Sequence, residues 1–102
     1  MNLTGYKVGP LIYSSVTTAW ATVSSASDAD GFFIQAQTSS LLFHMTTQAP
    51  VNATVAGAGI TLRGTAYDYV EFYGDEIAKN LKVAAENSGS TVHCCVQFFR
   101  KI

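Results

Sequence analysis

The chain has 102 residues, 48% of them apolar, and a formal net charge of −1. This length fits one domain with a modest core that needs neither disulfides nor metal to fold. Only 13% of the residues are charged, about half the roughly 25% usual in soluble domains, and apart from Arg100-Lys101 the cations are scattered, so nucleic acid, which needs clustered cations, is not expected as a partner.

A free monomer places charge on its exposed faces to stay soluble. A chain that omits it is expected to cover much of its exterior with other subunits, so a homo-oligomer or a larger assembly is anticipated. No stretch approaches the ~18 apolar residues of a membrane span. Residues 1–7, Met-Asn-Leu-Thr-Gly-Tyr-Lys, lack the apolar core of a secretory signal. The protein is therefore expected to act without crossing a membrane, and the Asn2 and Asn52 sequons carry little weight.

In chain order, residues 1–15 are interrupted by Gly and Pro and read as an N-terminal arm or edge strand. Residues 16–102 read as a β-sandwich domain. Residues 16–23 form a Thr-rich strand pattern carrying Trp20, and 24–30 a polar turn. Residues 31–38 alternate, with Phe32, Ile34 and Ala36 on one face and Phe33, Gln35 and Gln37 on the other. Residues 41–46 follow across Ser39-Ser40 and are expected to pair with 31–38. In them Leu41, Phe43 and Met45 oppose Leu42, His44 and Thr46.

A long connection through Pro50 leads to the short strand Ile60-Thr61-Leu62, then to an aromatic run from Tyr67 to Tyr73. Residues 75–86 admit a helix capped by Asp75, but Leu81, Val83 and Ala85 alternate. One helical turn over 76–79 followed by a strand fits better. A closing hairpin is expected from 81–86 through Asn87-Ser88-Gly89 to 91–99, where Val92, Cys94, Val96 and Phe98 form one apolar row. About eight short antiparallel strands, with at most one short helix, point to an all-β sandwich resembling a jelly roll.

The chemical motifs are thin. His93 and Cys95 share a strand face, but a structural zinc needs four ligands, and His44 is the only further nitrogen donor. Adjacent Cys94 and Cys95 sit about 3.8 Å apart at Cα, below the ~4.4 Å of ordinary disulfides; one core thiol and one outward thiol are expected. Asp28-Ala29-Asp30-Gly31 reads as a turn, because a calcium loop needs further oxygens and a distal Glu. Ala56-Gly57-Ala58-Gly59 lacks the third glycine and the following helix of a phosphate cradle. Asp68, Glu71, Asp75 and Glu76 lie close in sequence without a visible sugar-sized cleft. No nucleophile elbow occurs. The expectation is a non-enzymatic protein with no catalytic residues, cofactor or metal.

The aromatic run is the most informative segment. On a strand Tyr67, Tyr69 and Tyr73 share one face with Glu71, while Val70 and Phe72 take the other. The core can use only one face fully, so Tyr67, Tyr69 and Tyr73, with Trp20, are the candidate interaction surface.

The order of these pieces has a likeness. Gly31-Phe32-Phe33-Ile34-Gln35-Ala36 is followed by a Pro-containing connection and Gly59-Ile60-Thr61-Leu62. Then come Tyr69-Val70-Glu71-Phe72, Asn80-Leu81-Lys82-Val83-Ala84-Ala85 and the closing strand to Phe99-Arg100. Over residues 31–100 this resembles small β-sandwich virion proteins of tailed bacteriophages, especially capsid decoration or cement proteins. The resemblance implies a homo-oligomer, often a trimer, made in the host cytoplasm. It would sit on the capsid surface and bind between major capsid proteins. A tail, fibre or head-tail connector component is the alternative within the virion, and a carbohydrate-binding sandwich the alternative of another class.

Overall fold

Alternation of apolar and polar residues sets the strands, because successive side chains on a strand point to opposite faces. The computed structural model describes residues 4–23, 29–45, 59–75, 78, 80–86 and 92–102. Among the described residues eight strands run in chain order: β1 (Tyr6–Val16), β2 (Ala21–Thr22), β3 (Gly31–Gln37), β4 (Leu41–His44), β5 (Ile60–Leu62), β6 (Tyr69–Tyr73), β7 (Lys82–Ala85) and β8 (Val92–Lys101). They form two four-stranded antiparallel sheets. Sheet A has the order β1-β8-β3-β6, and sheet B the order β2-β7-β4-β5.

The pairing is nested: β1 with β8, β2 with β7, β3 with β6 and β4 with β5. This is one long ribbon of paired strands rolled over on itself, closed by the β3–β8 and β4–β7 contacts. It is the strand order of a jelly roll, so the chain is an all-β antiparallel sandwich.

Rolling has a consequence for neighbours in sequence. Except for β4–β5, consecutive strands lie in opposite sheets. The two hairpins expected from sequence are therefore corrected: β3 does not pair with β4, and β7 does not pair with β8. Thr38, at a φ of 74°, lies at the crossing from β3 in sheet A to β4 in sheet B. The Asn87-Ser88-Gly89 turn lies outside the described residues. The strand expected over 16–23 is also corrected: Val16 ends β1, a bend at 18–19 and Trp20 follow, and only Ala21 and Thr22 form β2. β1 itself occupies the edge of sheet A. The Ala78 N–H donates to Gly74 O at 3.1 Å, the spacing of one helical turn, ahead of β7; residues 76, 77 and 79 lie outside the described set.

The core fills the space between the sheets. Phe32, Ile34 and Ala36 of β3 and Val92, Cys94, Val96 and Phe98 of β8 meet Leu41 and Phe43 of β4, Leu62 of β5, and Val83 and Ala85 of β7. Val70 and Phe72 pack against this cluster from β6, so the partition of the aromatic run between two faces holds within the strand.

Phe32 and Phe33 are neighbours of one residue type on opposite faces. Phe32 is wholly buried, while Phe33 is only half-buried. Phe32→Ala is expected to cost about 3–5 kcal/mol, lowering the melting temperature by more than about 12 °C. Phe33→Ala should cost well under half of that. Urea unfolding of the two variants, read at unchanged m-value, checks this difference.

Candidate functional site: the outer face of sheet A

Pairing register turns the outward residues of sheet A into a grid. One row across the four strands is Tyr13, Cys95, Gln35 and Tyr69; the next is Leu11, Gln97, Phe33 and Glu71; the third is Val8, Phe99, Gly31 and Tyr73. Strands stand about 4.8 Å apart and outward residues about 6.8 Å apart along each strand. The face thus covers on the order of 400 Å², the size of the largest apolar patch on a typical monomer. Of these twelve positions only Glu71 is charged. Leu11, Tyr13, Tyr69 and Tyr73 are 60%, 56%, 63% and 42% exposed.

A bulge keeps the grid in phase. Between Val8 and Leu11 β1 takes three steps while β8 takes two, from Phe99 to Gln97. The extra residue, at Gly9-Pro10, lets Val8 and Leu11 both face outward despite their odd spacing. The Gln97 side-chain amide donates to Gly9 O at 2.8 Å and pins the distortion.

At one end of the face Phe99 lies over Gly31, where a Cβ would come within 2.5 Å of the Phe99 ring and 2.6 Å of Phe72 O. Only glycine admits that ring. Phe99 is then flanked by Tyr6 and Tyr73, with centroids 5.2 and 5.1 Å away, and is almost fully covered. Nearer the other end the Gln37 amide donates to Gln35 Oε1 at 3.2 Å and lies 3.1 Å from Cys95 Sγ. Gln35 donates in turn to Tyr67 O at 3.2 Å. Tyr13 stacks on His93, centroids 5.1 Å apart and planes 9° from parallel.

The four residues singled out from sequence do not gather into one patch. Tyr69 and Tyr73 stand on this face. Tyr67 lies just before β6 in a turn, at a φ of 52°, and is exposed. That turn is clamped by Asp68, which accepts from Arg63 Nε at 2.8 Å and from the Arg63 backbone N–H at 3.0 Å. The Arg63 bonds hold the Asp68 carboxyl below the usual carboxylate range. Trp20 belongs to the opposite side of the sandwich. It half-buries itself over Leu42 and Ala84 on the outer face of sheet B, meets His44 edge-on at 4.5 Å, and lies so close to Gly59 that a Cβ there would be 2.9 Å from the indole.

Sequence reasoning missed Leu11, Tyr13, Phe33, Gln35 and Gln97 as parts of the face. The alternation of 31–38 already placed Phe33 and Gln35 outward; their partners on β1 and β8 follow only from register.

The remaining motifs separate. His44 and His93 lie on opposite outer faces, so they cannot share a metal, and among the described residues no three metal-ligating side chains cluster. Both thiols are free and buried, and burial pushes both above their ordinary pKa; Cys95 points outward as expected but under cover. Asp30 works as a junction. Its carboxylate accepts the Lys101 N–H at 2.7 Å, while its own N–H donates to Phe99 O and its carbonyl accepts from Gly74. Asp28, Glu76 and residues 56–58 lie outside the described residues. A groove of about 500 Å³ runs beside the first half of β1, past Lys7, Pro10, Ile12, Ala29, Phe98 and Arg100. Among the described residues its lining holds no carboxylate, imidazole, thiol or hydroxyl.

His44 gives the fold a pH dependence. Burial, and secondly the nearby Lys82 ammonium, lower its pKa from the ordinary 6.5. The unfolded chain therefore takes up this proton first as pH falls. The His44 contribution is fully present above about pH 7 and is lost as pH drops below 6.5 toward the folded-state value. His44→Gln should flatten the slope of unfolding free energy between about pH 7 and 5, measured by urea titration at each pH.

The chain matches no known family model, no curated protein and no solved structure.

Proposed function

We propose that this protein is a structural subunit of a tailed-bacteriophage virion. In this reading it is a decoration or cement protein that lies on the capsid surface, binds between major capsid proteins and holds the shell together. One observation carries the reading: the outer face of sheet A is broad, aromatic and nearly free of charge. Large exposed apolar patches mark interaction sites, and depletion of charge with enrichment of aromatic side chains is the composition of interface centres. The scarcity of Lys and Arg argues for a protein surface over nucleic acid. The jelly-roll order fits by analogy, since viral capsid domains use it, though lectin and cupin domains use it too. Many copies engaging a repeated lattice, as a homo-oligomer, would gain avidity from individually weak contacts.

A second reading has its own supporting observation. Exposed Tyr13 and Tyr69 stand in one row with the Gln35 amide between them, beside Gln37 and Gln97. Rings that stack on sugar faces and amides that reach hydroxyls are the chemistry of a carbohydrate-binding platform.

Co-sedimentation with expanded phage shells tests the first reading. Saturable, stoichiometric binding and a higher shell melting temperature are expected. Tyr69→Ala should weaken binding about tenfold or more while leaving the melting temperature of the isolated protein within a few degrees. Failure to bind any shell, together with retention on a glycan array abolished by the same substitution, would move the assignment to the carbohydrate reading.

A further inference from the structure

The open edges of the two sheets are not equally protected. Proteins blunt an edge strand by making it very short, by placing charge or proline on it, or by bulging it. In sheet B the edge strands β2 and β5 have two and three residues. In sheet A, β6 has five and carries Glu71 at its centre. β1 is eleven residues long, and its first half holds Lys7, the bulge and Pro10.

The second half of β1 has none of these devices. Leu11, Ile12, Tyr13, Ser14, Ser15 and Val16 pair residue for residue with Gln97, Val96, Cys95, Cys94, His93 and Val92 of β8, without a shift. The run spans about 20 Å, contains no charge and no proline, and exposes Leu11, Tyr13, Ser14 and Ser15. In a strand paired on one side only, alternate peptide groups point away from the sheet. Among the described residues, no backbone hydrogen bond from another segment reaches residues 11–15 on that side.

We infer that residues 11–15 of β1 pair antiparallel with the same residues of a second copy, joining two A sheets into one eight-stranded sheet. The register centres on Tyr13. Leu11 then stands opposite the partner's Ser15, Ile12 opposite the partner's Ser14, and Tyr13 opposite its own counterpart on a twofold axis normal to the sheet. Three arguments select a second copy as the occupant. A strand paired antiparallel with itself is self-complementary, which is what a twofold interface requires. The alternation of strand directions across sheet A continues unbroken into the second copy. The paired run is uncharged, so identical strands meet without repulsion, and Lys7 falls beyond its end, where no partner residue stands opposite.

The pairing deepens the docking reading on which its functional meaning rests. An axis normal to the sheet keeps both outer faces on the same side. The row Tyr69, Gln35, Cys95, Tyr13 then continues through the partner's four residues in reverse order. The docking surface doubles to roughly 800 Å², and one particle offers two copies of it, which is the condition for avidity on a repeated lattice. This arrangement has two copies, where the virion proteins that the chain resembles are often trimers.

Light scattering of the eluting full-length chain, from about 10 to 200 µM, gives the test, because a strand-to-strand contact of micromolar affinity is populated in that range. The expected mass rises with concentration toward twice the 10.9 kDa of one chain. Leu11→Lys combined with Ser15→Lys places like charges opposite each other across the axis, and should weaken the pair at least about tenfold. Leu11→Lys combined with Ser15→Glu places opposite charges there and should restore pairing; circular dichroism confirms that both variants fold. A wild-type monomer at 200 µM, a three-copy mass, or equal behaviour of the two double variants overturns the inference. Shell binding is scored separately. A monomer that saturates shells removes the edge pairing alone, whereas a dimer that ignores every shell removes the docking role alone.

Discussion

β3 and β8 lie at the centre of sheet A, each hydrogen-bonded on both sides, and the rest of the molecule depends on their inward rows being buried. Phe32, Ile34 and Ala36 stand beside Phe98, Val96 and Cys94 in matching register, and all six are nearly or wholly inaccessible to water. A slip of one residue in either strand would turn Phe33, Gln35 and Gln37, or His93, Cys95 and Gln97, into that interior. Burying amides without partners costs about 1–3 kcal/mol each, so the register is held tightly. Sheet B supplies the opposing layer through Leu41, Phe43, Val83 and Ala85.

Once the inward rows are fixed, the outward ones have no freedom. The period of two that buries Phe32 presents Phe33, and the pairing that aligns Ile34 with Val96 and Val70 aligns Gln35 with Cys95 and Tyr69. The outer face of sheet A is therefore a by-product of core register, tuned by the bulge at Gly9-Pro10 and by the glycine at position 31 that accepts the Phe99 ring. The two sides of the sandwich end up unlike. Sheet B covers its outer surface with its own Trp20, packed on Leu42 and Ala84 beside His44. On sheet A the rings of Tyr13 and Tyr69 are left more than half exposed.

Much of this was visible in the chain itself. The alternation of 31–38 and 92–98 assigns inward and outward residues correctly, and the division of Tyr69, Glu71 and Tyr73 from Val70 and Phe72 follows from the same period. Trp20 misleads, because a large aromatic in a polar stretch looks available, whereas its exposure depends on whether Leu42, Ala84 and a side-chain-free Gly59 come together beneath it. The two expected hairpins mislead for a related reason. Short loops favour pairing of consecutive strands, and in this fold that local tendency is overridden by the gain from burying both sheets' inner faces at once.

The sequence alone determined the strand-rich class, the approximate places of most strands, and which side of β3, β6 and β8 is apolar, because all of these are set by local periodicity and turn chemistry. The tertiary structure decided which strands are neighbours, that Tyr13, Gln35 and Tyr69 share a row, that Trp20 and the tyrosines lie on opposite sides, and which edge is left open. Those facts rest on contacts between residues far apart in the chain, such as Tyr6 with Lys101. Such pairings are chosen by the fit of whole inner faces against each other, and no short window of residues contains that information.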